Sequence, residues 1–243
     1  MMKKNISAFA LAGFLVIFFS CGLQAQNKLS DQEKQDGFVL LFDGLSADGW
    51  RGFQKDFFPD RWLVEDGTIH FNPKAEGTRG DIIYDKKFSD FHFKLEWKIA
   101  EAGNSGILYL GSEDSKYKYI FQTAPEMQVL DNAKHPDAKL GKDGNRQAGS
   151  LYDLIPANPQ NFNGAGEWNQ LELIVKDKHV THIQNGVVVV EYEYGTDAWN
   201  ELVAGSKFPG LNPDWANIQE EGVIGLQDHG DNVWYRNIKI KEL

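Results

Sequence analysis

Residues 91–99, FHFKLEWKI, set Phe91, Phe93, Leu95, Trp97 and Ile99 on one side of an extended chain and His92, Lys94, Glu96 and Lys98 on the other. Side chains alternate across a strand with a period of two, so this spacing predicts a strand with one buried face and one wet face. A helix would scatter the same residues around its circumference. Similar runs recur along the chain: WLVEDGTIHF, DIIYDKKF, SGILYLG, PEMQVLD, SLYDLI, NQLELIVKD, HVTHIQNGVVVVEYEY, GVIGLQD and VWYRNIKIKEL, each bounded by Gly, Asn, Asp or Pro. Asn185-Gly186 predicts a type I′ hairpin, whose two central residues need φ > 0. One short helix is expected over Asp197–Leu202. Roughly ten strands without βαβ spacing make the expected fold all-β, a jelly-roll β-sandwich of two antiparallel sheets. One domain over residues 36–243 is the simplest organisation for a chain of 243 residues, 42% of them hydrophobic.

The N-terminus reads differently. Lys3 and Lys4 precede an apolar run from Ile6 to Phe19, the layout of a secretory signal peptide over residues 1–21. The run closes on FFSCG, which is similar to a lipobox whose Cys21 is acylated and becomes the new N-terminus. The alternative is ordinary cleavage after Ala25, which discards Cys21. Both routes export the protein, to the periplasm or to an outer-membrane lipoprotein of a Gram-negative envelope. Residues 22–35, containing KLSDQEKQD, are expected to be a short linker or helical lead-in. No later stretch of about 18 apolar residues recurs, so membrane contact is expected only through the lipid. Cys21 is the one cysteine, and it leaves no intramolecular disulfide to form. The net charge of −10, with no block of Lys or Arg, argues against a nucleic-acid partner.

Nucleophilic serine, thiol and zinc-protease chemistries find no G-x-S-x-G, C-x-x-C or H-E-x-x-H. Three other places hold polar residues where a sandwich strand should be ordinary. In EMQVLD, a regular strand points Glu126, Gln128 and Leu130 one way and Met127, Val129 and Asp131 the other; a bulge after Gln128 would bring Asp131 round to join the first two. A solvated face ending in a turn Asp explains the same letters. In LQDHGD, Gln227 and His229 share a face with Asp228 opposite, and His229 at the mouth of a turn suits proton transfer as well as it suits an idle turn histidine. In GNSG, Asn104 and Ser105 stand between glycines, marking either a crowded backbone or a tight strand entry. His135 and Asp137, with Asp131, could ligate a divalent cation, although a histidine before proline is usually a loop residue. His92, His179 and His182 read as surface.

Taken in order, LLFDGLSADGW, GNSGILY, APEMQVLDN, GSLYDLIPA, GEWNQLELIV, HIQNGVVVVEYE and LQDHGDNVWYRNIKIKEL resemble the 3-keto-disaccharide hydrolase family, over about residues 36–243. The resemblance implies a concanavalin A-like sandwich and a carbohydrate substrate, a glycoside oxidised to a ketone at C3. A C3 ketone acidifies the C2 proton, so a base can remove it, the C1 substituent can leave by β-elimination, and water can add back. On this reading Glu126 and His229 are the proton-transfer pair. Asn104, Gln128, Gln227 and Lys207 donate to the ketone or to sugar hydroxyls, Tyr152 and Trp234 pack on the ring, and Asp131 and Asp228 orient the histidine or hold a cation. A non-catalytic carbohydrate-binding lectin is the alternative. Laminarinase-like enzymes of this fold carry E-x-D-x-x-E, whereas this chain has E-x-Q-x-x-D, which removes one carboxylate that oxocarbenium chemistry requires. Leu110 departs from the family, which often has a basic residue after GNSGILY.

Acylation of Cys21 predicts that a fatty-acid label fed to cells enters the wild-type chain and is lost in Cys21→Ser; cleavage after Ala25 predicts no label in either.

Overall fold

The structure, a computed structural model, describes residues 26–243; the expected signal peptide and Cys21 lie outside the described residues. Two antiparallel sheets face one another. The larger runs in the order β11 (Val187–Glu193), β10 (His179–Gln184), β9 (Asn169–Lys176), β6 (Phe91–Ile99), β13 (Val233–Glu242), β4 (Thr68–Phe71) and β3 (Trp62–Glu65), with β1 (Val39–Leu40) also paired to β13. The smaller runs β2 (Trp50–Gly52), β5 (Ile82–Phe88), β12 (Gly222–Leu226), β7 (Asn104–Gly111) and β8 (Glu126–Leu130). The fold is the expected jelly-roll sandwich.

Local chemistry explains the elements. Strand β6 alternates buried and half-buried positions along its whole length, and its five apolar side chains face the smaller sheet. Asn185 (φ 49°) and Gly186 (φ 77°) turn β10 into β11 as expected, and Asp66 (φ 50°) with Gly67 (φ 69°) does the same between β3 and β4. Helix α2 (Asp197–Ala204) covers the expected segment, capped by the Thr196 hydroxyl accepting from Trp199 N–H. SLYDLI is not a strand. Leu151 and Ile155 pair with each other through both backbone groups, and Asp153 at φ 61° folds the chain back between them.

In β13 the register shifts between Arg236 and Lys239, with Asn237 at φ 54°, so Val233 and Tyr235 before the bulge and Ile238 and Ile240 after it all reach the core. The bulge also anchors the segment expected to be a linker. Asn27 N–H donates to Asn237 Oδ1 at 2.5 Å and Asn237 N–H to Asn27 Oδ1 at 2.9 Å, both buried. Helix α1 (Asp31–Gln35) comes next, and its Glu33 takes a 2.6 Å ion pair from the buried Lys239 ammonium.

His182 corrects the surface reading. It is fully buried between the sheets, with Nε2 2.9 Å from Tyr109 Oη and Nδ1 3.2 Å from Gly149 O. Burial pushes its pKa down to about 4, so the ring is neutral. The polar neighbours on the strand gave no sign that this face of β10 lies over Tyr109 of β7. His179 is exposed, and His92 is half-buried against Glu172 at 2.7 Å.

The smaller sheet is covered on both sides. Every residue of β7, β8 and β12 is buried, because the inner face meets the larger sheet and the outer face is roofed by loops. Leu108, Ile120, Ala124 and Val223 form a second apolar cluster with Phe53 and Ile83, with Phe121 packed against it.

Asn27→Ala should destabilise the fold by about 1–3 kcal/mol, since it leaves the Asn237 amide N–H buried without an acceptor. Urea denaturation of the mature chain measures this; an unchanged midpoint would mean that residues 26–36 lie outside the cooperative unit.

Candidate active site

Residues directly opposite in an antiparallel pair point to the same face. Gly106 lies opposite Gln128 and Leu108 opposite Glu126, and Gln227 N–H bonds to Gly106 O. Asn104, Gly106, Glu126, Gln128 and Gln227 therefore converge on the outer face of the smaller sheet. Gly106 makes room there: a Cβ built on it would come within 2.1 Å of Glu126 Oε1. On the inner face Ser105 pins the floor, its hydroxyl 2.6 Å from Gln227 O and 2.7 Å from Tyr235 Oη.

Above this floor opens a cleft of about 170 Å³. It is lined by Asn104, Glu126, Gln128, Tyr152, Lys207, Gln227 and His229, and by Phe121, Phe208 and Leu211. Seven of the sequence-derived site residues thus come together. The three apolar walls were not anticipated, because isolated Phe and Leu residues in loops carry no periodic signal.

Glu126 is the only carboxylate among these lining residues. It is buried, and among the described residues the one hydrogen bond to its carboxyl is a long 3.4 Å contact from Gln227 Nε2. Burial pushes its pKa up to about 8, against the pull of the Lys207 ammonium and with a further push from Asp81. At neutral pH it is therefore a carboxylic acid. Gln128 is held by the backbone, its amide donating to Arg146 O at 3.3 Å and accepting from Val129 N–H at 3.1 Å.

One wall is a charged chain of contacts. Lys207 Nζ donates to Tyr152 Oη at 2.9 Å and lies 4.1 Å from that ring's centre; Tyr152 donates to Asp137 Oδ2 at 2.8 Å. Arg146 bridges Asp137 and Asp153 at 2.8 and 2.6 Å. Burial raises the Asp137 carboxyl, but hydrogen bonds from Arg146 and Tyr152 outweigh it and hold the group below its ordinary range. Desolvation lowers the Lys207 ammonium. Asp137 is thus committed to Arg146 and Tyr152 rather than free for a cation.

Other expectations need correction. Strands β7 and β8 pair without a register shift, so the bulge that would carry Asp131 into the site is absent. Asp131 instead caps loops, accepting from Ala102 N–H at 2.7 Å and Ala133 N–H at 3.0 Å. Asp228 lines the adjoining compartment with His229 but is committed to Arg79, in a two-bond contact at 2.7 and 2.9 Å. Trp234 stacks on His70 with ring centres 4.5 Å apart, on the outer face of the larger sheet. Leu110 is fully buried in the core, so nothing at that position reaches the cleft. Asp131, His135 and Asp137 do not converge; the group that does is His135, His229 and Asp231, whose ligating atoms lie within 4.8 Å of one another.

Asp81 was missed, since an Asp before an apolar strand reads as a turn residue. It lines a compartment that continues the cleft past Phe121, Gln227 and His229. Burial pushes it up to about 7, against the Asp228 N–H that it accepts at 2.9 Å.

Comparison with known proteins agrees with this geometry. Residues 37–241 match the family described as the 3-keto-alpha-glucoside-1,2-lyase-like domain. The chain is 46% identical over 229 residues to a 3-keto-disaccharide hydrolase of Bacteroides thetaiotaomicron, covering 86% of this chain and 79% of that protein. A Parabacteroides distasonis protein assigned as a glycosyl hydrolase has a solved structure that superposes with a TM-score of 0.81 at 33% identity, over 90% of this chain and 99% of that one. A second from the same organism gives 0.57 at 28%, over 85% and 84%. The family match over residues 37–241 and the 46% identity to the Bacteroides thetaiotaomicron protein identify the chain as a member of the 3-keto-disaccharide hydrolase family and an enzyme of the glycoside hydrolase or lyase class.

Proposed function

We propose that the enzyme cleaves 3-keto glycosides by elimination and rehydration. The observation that carries this reading is Glu126: a buried acid, protonated at neutral pH, with the amide of Gln128 where a glycosidase of the two-carboxylate type needs a second carboxylate. A protonated carboxyl suits a departing oxygen. The relative from Bacteroides thetaiotaomicron is named for 3-keto disaccharides, which supports the substrate class.

The C2–H bond breaks as the His229 imidazole at the rim takes the proton, while the electron pair of that bond delocalises onto the C3 oxygen. The C1–O bond then breaks as C1=C2 forms, and Glu126 gives its proton to the departing oxygen. Water adds to C1 of the enone, Glu126 as carboxylate takes a proton from that water, and C2 is reprotonated. The sum is hydrolysis. Asn104, Gln128, Gln227 and Lys207 supply donors for the ketone and hydroxyls, placed before the reaction begins. Asn104 Oδ1 and Gln227 Oε1 are buried without partners, as acceptors kept for substrate hydroxyls would be.

In D2O, the 3-keto sugar released from a 3-keto disaccharide should carry deuterium at C2, above that in product incubated without enzyme. Direct displacement at C1 would leave C2 unlabelled, and mass spectrometry separates the two.

Glu126→Gln should lower kcat by about 10²–10⁴-fold. Wild-type activity should fall as pH rises through about 8, where the acid is lost. The same carboxyl also gives the fold a pH dependence. Its folded pKa lies above the ordinary 4.5, so the native state holds an extra proton between about 4.5 and 8, and stability falls as pH rises across that window. Thermal unfolding should therefore show Glu126→Gln gaining on wild type from pH 5 to pH 9; parallel curves would contradict the buried acid.

A further inference from the structure

Three side chains from two segments meet at the rim of the cleft. His135 lies just after β8 at the start of a short 3₁₀ turn (Pro136–Lys139), His229 in the loop after β12, and Asp231 just before β13. Their ligating atoms lie within 4.8 Å of one another. The two imidazoles stand nearly perpendicular, at 82°, with ring centres 5.9 Å apart. Asn104 N–H orients Asp231 by donating to its Oδ2 at 3.1 Å, and no Lys or Arg pairs with that carboxylate among the described residues. The same Asn104 lines the cleft with a buried Oδ1 that has no partner.

We propose that His135, His229 and Asp231 form a binding site for a divalent first-row transition ion, open toward the substrate cleft. Two imidazoles and one carboxylate suit Zn2+, Co2+ or Mn2+ rather than Mg2+ or Ca2+, which take oxygen ligands. Three protein ligands with a vacant position are the arrangement of catalytic rather than structural sites. Ligands of a tetrahedral ion stand about 3.3 Å apart, so side-chain rotation closes the remaining gap. Asp137 N–H points at His135 Nδ1 at 3.2 Å. An ion on Nδ1 replaces that long hydrogen bond, and an ion on Nε2 requires the ring proton to sit on Nδ1. In either case one weak contact is exchanged for a metal–nitrogen bond.

The inference deepens the proposed function and rests on it for the role of the ion. His229 also lines the cleft, so an ion it holds is placed to draw negative charge on the C3 oxygen as the C2 proton leaves. A hydroxide on that ion, rather than the imidazole itself, then accepts the C2 proton and becomes bound water.

The test uses the mature chain stripped with dipicolinate and dialysed. Titration with Zn2+ and Co2+, followed by metal analysis after gel filtration, should give one ion per chain, and Co2+ should produce visible d–d absorption. Mg2+ and Ca2+ should not compete. His135→Ala and Asp231→Asn should each weaken Zn2+ binding at least tenfold while circular dichroism stays that of the wild type; should one variant fail to fold, the other decides. Substoichiometric binding, or binding unchanged in a folded variant, would overturn the proposal. Full turnover of a 3-keto disaccharide by stripped enzyme would overturn the role of the ion and leave the elimination reading standing. Stoichiometric metal without turnover of any 3-keto glycoside would do the reverse.

Discussion

The burial of one carboxyl against a bare stretch of backbone is the interaction on which the rest of the site depends. Glu126 sits on a strand whose two faces are both covered, and Gly106, diagonal to it on the neighbouring strand, has no side chain to displace it. Water would have ionised this group and spread it into solvent. The loops that roof the smaller sheet deny it that water, and the acid stays protonated at a pH where an exposed glutamate would not.

The charges around it are arranged so that few of them compete for the cleft. Asp137 is taken up by Arg146 and Tyr152, Asp153 by Arg146, and Asp228 by Arg79. Each of these acids is tied to a neighbouring cation or hydroxyl and so is a fixed part of the wall. Among the described residues no cation or hydroxyl hydrogen-bonds the carboxyl of Glu126 or Asp81, and burial raises both toward neutrality. A division of this kind, with some carboxylates pinned and others raised, is how one fold keeps acid chemistry beside structural ion pairs.

Parts of this were legible in the letters. The alternation of FHFKLEWKI determined which face of β6 is buried, and Asn185-Gly186 determined its hairpin, because both are local consequences of pleat and turn geometry. The same alternation put Glu126 and Gln128 on one face. It misled for Asp131, where the appeal to a bulge had no local signal behind it and the ladder proved regular. His182 was misplaced and the commitment of Asp228 to Arg79 was missed because the partners, Tyr109 and Arg79, lie 73 and 149 residues away.

By itself, then, the sequence determined the strand periodicity, the tight turns, the short helix after Thr196 and the set of polar residues that break the pattern. All of these come from interactions between residues close along the chain. Only the tertiary structure decided which polar residues share a cleft, which acid is desolvated enough to keep its proton, and that His135 and Asp231 stand beside His229. Desolvation and charge pairing depend on what is packed within a few ångströms in space, and in a sandwich of crossing strands those neighbours come from distant parts of the chain.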